Sequence, residues 1–159
     1  MLRSQLRSQL RAHAQQAAAM RTQGLIVFSV GGMRLAARTD EVGGVMPWPG
    51  SSPVPSETPF IAGLVRHQKD CLPVFDLAAK LRRPMPETEP LCLMAKHVDG
   101  PIAIRIDNVV PALHMVERSA IRYQVGPDPD IAGTCIAEDE EFPLINLTTL
   151  GVAPSRLNP

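Results

Sequence analysis

The hydrophobic pattern changes its period once, near residue 24. Before that point Leu2, Leu6 and Leu10 recur every four residues, with Arg3, Arg7 and Arg11 one step behind them. Ala and Gln fill the positions up to Met20, and no Gly or Pro interrupts before Gly24. These are strong helix formers, so the spacing predicts an amphipathic helix over residues 2–21, within an N-terminal segment of residues 1–22. Its apolar stripe is expected either to pack on the following domain or to pair with another helix.

From Leu25 onward the apolar residues come in short runs bounded by turn residues, which is the pattern of an all-β fold. Runs at 25–30 and 33–38 flank the turn Gly31–Gly32, and 39–42 reads as a turn or helical corner before a strand at 45–48. The segment 47–59 holds five prolines and three serines and reads as an extended loop. Strands follow at 61–67 and 71–75, and then Asp76 is placed to cap a short helix at 77–81. After a Pro-rich linker at 83–90, strands are expected at 91–97, 102–106, 111–116, 131–137 and 142–147.

The two halves repeat each other. Arg38–Val42 is echoed 67 residues later by Arg105–Val109. Ile61-Ala62-Gly63 and Pro73-Val74-Phe75-Asp76-Leu77 are echoed 70 residues on, by Ile131-Ala132-Gly133 and Pro143-Leu144-Ile145-Asn146-Leu147. Three matches in one order at nearly one offset predict two related β modules, at about residues 25–82 and 90–150. A module of about 60 residues buries little surface alone, so two small five-stranded barrels around a shared core are expected.

Composition narrows the function. The chain has 159 residues, 16 basic and 16 acidic side chains, and no net charge. A nucleic-acid binder needs excess Lys and Arg, and single-stranded nucleic acid needs aromatic stacking platforms; aromatics are 4% here. A β-barrel nucleic-acid module is therefore the weakest alternative. No apolar run approaches the roughly 18 residues that span a bilayer, so no membrane insertion is expected. The neutral sum hides an asymmetry, because the first acidic residue is Asp40 and residues 80–159 carry eleven acids against eight bases. Cys71, Cys92 and Cys135 form no CxxC pair, lie in apolar stretches and read as buried reduced thiols of a cytoplasmic protein.

No catalytic or metal constellation stands out. His13, His67, His97 and His114 have no ligand-type neighbours at metal spacing, the glycines at 31–32 and 43–44 lack a phosphate-loop pattern, and the acidic run 138–141 reads as a solvated hairpin turn. Neither enzymatic activity, cofactor nor metal is expected. A double β module without such chemistry is read as a binding protein. Trp48, between Pro47 and Pro49, reads either as an interface anchor or as a plug beneath the loop.

The stretches at 25–45, 60–81 and 91–109 resemble the CheW-like coupling proteins of bacterial chemotaxis. The most specific part is F-I-x-G at Phe60–Gly63 followed by P-φ-φ-D-L at Pro73–Leu77. The resemblance implies two five-stranded SH3-like barrels over about residues 25–150, and a non-enzymatic scaffold. It also implies partners: a chemoreceptor cytoplasmic tip and the regulatory domain of a CheA-type histidine kinase. Receptor and kinase contact would map to Val42, Val45, Gly63, Arg66, Gln68 and Lys69. The turn departs from the family's Asn-Leu-Arg-Gly, since Arg66-His67-Gln68-Lys69 puts Gln where the arginine stands and Lys where the glycine stands. Gln lacks the charged fork of Arg, and a Lys replacing a turn glycine implies a changed backbone. A divergent array-integrating or self-associating adaptor, with the N-terminal helix as an added surface, is the alternative reading.

Overall fold

In a computed structural model, residues 2–153 are described. The helix α1 (Leu2–Arg21) runs directly into β1 (Thr22–Val30), which turns through Gly31–Gly32 into β2 (Met33–Arg38). A 3-10 turn at Thr39–Glu41 leads to β3 (Val42–Pro47), and the Pro-rich loop then leads to β4 (Ile61–His67) and β5 (Asp70–Phe75). Asp76 caps the short α2 (Leu77–Lys80) by accepting from the Ala79 N–H. The second half runs β6 (Leu91–Ala95), β7 (Ile102–Ile106), β8 (Ala112–Glu117), β9 (Ile121–Tyr123), β10 (Ile131–Ala137) and β11 (Glu140–Ile145). The sequence pattern misses β9, whose three residues carry too short a run to show alternation.

The strands form a six-stranded sheet in the order β8-β1-β2-β11-β10-β9 and a five-stranded sheet in the order β3-β6-β7-β5-β4. Replacing each strand of the smaller sheet by its repeat-mate gives β8-β1-β2-β11-β10, the order of the larger sheet without β9. The register carries the two sequence offsets. Ala36 pairs in parallel with Leu144 in one sheet, and Ala103 with Val74 in the other. A β-bulge falls between Ile61 and Gly63 and again between Ile131 and Gly133.

The boundary at residues 82–90 separates the two repeats but not the two sheets. Each repeat gives its first hairpin to the other: β1-β2 sits in the sheet with β8–β11, and β6-β7 in the sheet with β3–β5. Neither sheet can form from one repeat, so the modules are tied by hydrogen bonds as well as by packing.

The exchanged hairpins are buried on both faces, which accounts for their unbroken apolar runs. Ile26, Phe28, Val30, Leu35 and Ala37 point into a central core shared with Leu93, Ile102, Ile104 and Ile106. The alternate residues Leu25, Val27 and Ala36 point the other way, onto Cys135, Phe142 and Leu144. In the second sheet Cys92 and Ala103 likewise face Val65, Leu72 and Val74. Period-two alternation divides the side chains between a shared core and a private core in each module.

α1 departs from the expectation that its stripe packs on the domain. Leu2, Leu6, Leu10 and Met20 are all exposed, and so is every residue from 2 to 17.

Candidate interaction surface

β3 is the outer strand of its sheet and pairs on one side only, with β6. Its alternation turns Val42 and Met46 inward, onto the shared core and the private core respectively. Gly43, Val45 and Pro47 face outward, and Val45 is 38% exposed. The corner before β3 is rigidly held. Glu41 is buried, its carboxylate lies 3.1 Å from Nη2 of Arg38, and its carbonyl accepts from the Lys96 N–H at 2.8 Å. Burial acts to lower the Arg38 pKa, but hydrogen bonds to Glu41 and Tyr123 outweigh it and raise the value above that of free arginine. Strand β3 therefore presents a short apolar edge from a fixed start.

The turn between β4 and β5 carries Arg66, Gln68 and Lys69, all exposed. His67 pairs with Asp70, so Gln68-Lys69 is a two-residue hairpin loop. The left-handed conformation falls on Gln68, at φ 55, and not on Lys69. The residue that bears the unfavourable φ in this turn is thus the glutamine, one step before Lys69. β3 and β4 stand at opposite edges of the pairing order, with β6, β7 and β5 between them. Met46 of β3 and Val65 of β4 nevertheless line the same private core.

Gly63 is buried and acts through backbone packing. A Cβ there would lie 2.5 Å from the Ser52 carbonyl oxygen, and Ser52 and Leu64 exchange two backbone hydrogen bonds of 2.9 Å. The glycine lets the Pro-rich loop lie against the edge of β4. Trp48 follows β3 and leads into the Pro-rich loop. It packs half-buried against the private core, its backbone N–H donates to the Pro90 carbonyl at 3.0 Å, and the Arg105 guanidinium lies 5.4 Å over its ring.

The thiols divide. Cys92 and Cys135 are buried, and burial pushes the Cys92 thiol up to about 11 and also raises Cys135. Cys71 is exposed, against expectation, because it occupies an outward position at the start of β5, one residue before the strand becomes buried at Leu72. In the acidic run, Glu138 and Asp139 form the turn, and Glu140 and Glu141 begin β11. Among the described residues no three His, Cys, Asp or Glu side chains are grouped to hold a metal ion, and no helix is long and apolar enough to cross a membrane.

One exposed surface escapes the residue-by-residue reading of the sequence. β8 is the counterpart of β3 in the other module, and like β3 it is an outer strand. It turns Leu113 and Met115 outward at 73% and 72% exposure, and Val109 and Val110 before it are exposed as well. The counterpart of Val45 is Leu113: Val45 pairs with Leu93, and Leu113 with Ile26, 67 residues before Leu93.

Comparison with known proteins agrees with this architecture. A search of curated proteins found no match. Among solved structures the chain is similar to the scaffolding protein TtCheW from Thermoanaerobacter tengcongensis, with a TM-score of 0.69 at 16% identity, covering 80% of this chain and 86% of that one. A family profile described as the CheW-like domain matches residues 24–150, from the start of the first paired hairpin to the segment after β11. With both modules inside that match, the chain belongs to the CheW-like domain family.

Proposed function

We propose that this chain is a non-enzymatic cytoplasmic scaffold that couples chemoreceptors to a CheA-type histidine kinase in bacterial chemotaxis. The observation that carries the reading is the family match over both modules. The exposed edge of β3, with Val45 outward on a strand fixed by the Arg38–Glu41 pair, supplies an apolar contact for a receptor tip. Arg66, Gln68 and Lys69 supply polar contacts at the far end of the same module.

The test is a calorimetric titration of the full chain with a receptor-tip helical hairpin and, separately, with the kinase regulatory domain, both from the source organism. Binding to at least one is expected, and Val45→Asp should weaken the receptor titration about tenfold, because it places a charge in the centre of an apolar contact. Absence of binding to both overturns the reading. A self-associating adaptor is the second reading, favoured by the uncovered stripe of α1.

A further inference from the structure

The two modules treat one pair of corresponding positions in opposite ways. In the six-stranded module, Arg34 on β2 reaches across to Glu140 at the start of β11, at 2.6 Å, and its guanidinium lies 4.9 Å over the Phe142 ring. One arginine thus covers an apolar side chain and neutralises a carboxylate at the end of the sheet. The repeat offsets carry Arg34 to Pro101, Glu140 to Asp70 and Phe142 to Leu72. Asp70 and Leu72 keep the carboxylate and the apolar floor, whereas Pro101 has no side chain that can reach them.

The result is an open groove of about 640 Å³. It is lined by Ile61, Leu72, Pro101, Leu150 and Val152, with Asp70 at its wall. That volume is in the range of a site for a few side chains. Among the described residues no basic side chain pairs with Asp70. The closed module shows what fits this site: an arginine with apolar surface beside it.

The chain carries that chemistry on its own uncovered helix. α1 has Leu2, Leu6 and Leu10 exposed, with Arg3, Arg7 and Arg11 in register beside them and no acidic residue anywhere in it. A pair of such helices would set arginines against arginines without a compensating carboxylate, which disfavours helix-to-helix pairing. An acid-walled apolar groove offers both the burial and the charge that α1 lacks.

We propose that the groove between β5 and the β6-β7 turn receives α1 of a second copy of this chain. Leucines of the Leu2–Leu6–Leu10 stripe fill its apolar floor, and an arginine of the adjoining row pairs with Asp70. This goes beyond the coupling function and does not depend on it. The contact is heterologous, helix to groove, so it closes as a reciprocal pair or continues as a chain.

The test is sedimentation of the full chain over a range of concentrations, with folding of each variant checked by circular dichroism. Concentration-dependent association is expected. Leu6→Glu should weaken it at least tenfold. Pro101→Arg, which restores in the same chain the plug that Arg34 provides opposite, should do the same. Asp70→Asn, a surface change that leaves the fold intact, should weaken it several-fold and remove part of its salt sensitivity. Cys71, which lines the groove, should be alkylated slowly in the associated protein and rapidly in Leu6→Glu. A chain that stays monomeric overturns the proposal, and so does association that Asp70→Asn and Pro101→Arg leave unchanged. Protection of Cys71 only when a receptor-tip hairpin is added to a monomeric chain would assign the groove to that partner instead, and would likewise overturn it.

Discussion

The six-stranded and five-stranded modules share one strand order and one register, yet they finish their margins differently. Beside β10, β9 pairs over three residues, from Gly133–Tyr123 to Cys135–Ile121. Beside β4 the corresponding place is held by the single bridge of Ser52 with Leu64, from the Pro-rich loop. The hairpin turns differ too. The β1-β2 turn is clamped by the Asp107 carboxylate, which accepts from Ser29 Oγ at 2.6 Å and from the Gly31 and Gly32 N–H groups at 2.9 and 2.8 Å. The β6-β7 segment is held by other contacts: Val98 N–H donates to the Thr148 carbonyl, and the His97 side-chain Nε2 lies 2.8 Å from the Leu150 carbonyl oxygen. Symmetric cores tolerate unlike edges, because the core decides whether the chain folds and the edges decide what it touches.

The comparison breaks first at the shared core. Ile104 is fully buried there, and Ile104→Ala should cost about 3–4 kcal/mol. Since each sheet contains a hairpin from the other repeat, both modules should still unfold together. Urea denaturation followed by circular dichroism and by Trp48 fluorescence should give coincident curves, and two separated transitions would show that the modules are independent.

The bulge glycines come next. A Cβ at Gly133 would overlap the Arg122 carbonyl, in a segment held by the β9 ladder, whereas a Cβ at Gly63 meets a loop held by one bridge. Gly133→Ala should therefore cost about 2–3 kcal/mol and Gly63→Ala about 1 kcal/mol, the difference being how readily the neighbour can move. Equal losses in denaturation midpoints would contradict the unequal margins.

The Asp107 clamp gives the third contrast. Burial acts to raise its pKa, but the hydrogen bonds from Ser29, Gly32 and Gly31, with the charge of Arg83, reverse this and hold it below the usual carboxylate value. A depressed folded pKa stabilises the protein above the unfolded value of about 3.9, and that stability disappears as pH falls through the lower folded value. Asp107→Asn should cost about 1–2 kcal/mol at neutral pH and flatten the loss of stability below about pH 4. The smallest effect belongs to Arg34→Ala. Both partners of its ion pair are about half exposed, so the change in thermal stability should stay under about 1 kcal/mol.

Much of this architecture was legible in the chain. The four-residue Leu/Arg spacing marked α1 to within a residue, and the echo of Pro73–Leu77 in Pro143–Leu147 marked the repeat and its 70-residue register. Val45 came only from the family resemblance, and the structure shows it outward on an outer strand. Cys71 was misread because one residue at a strand start looks like its apolar neighbours, and the left-handed Gln68 was not legible because turn geometry depends on which residues close the hairpin.

The sequence by itself determined the elements, their apolar faces and the existence of two equivalent units, because these follow from local periodicity and from repetition. Only the tertiary structure decided that the units exchange their first hairpins, that α1 stands uncovered, and that Pro101 leaves open the site that Arg34 closes in the other module. The exchange depends on pairings between residues far apart in the chain, such as Ala36 with Leu144 and Val42 with Ala95. There many registers satisfy the same alternation, and packing of the shared core selects one.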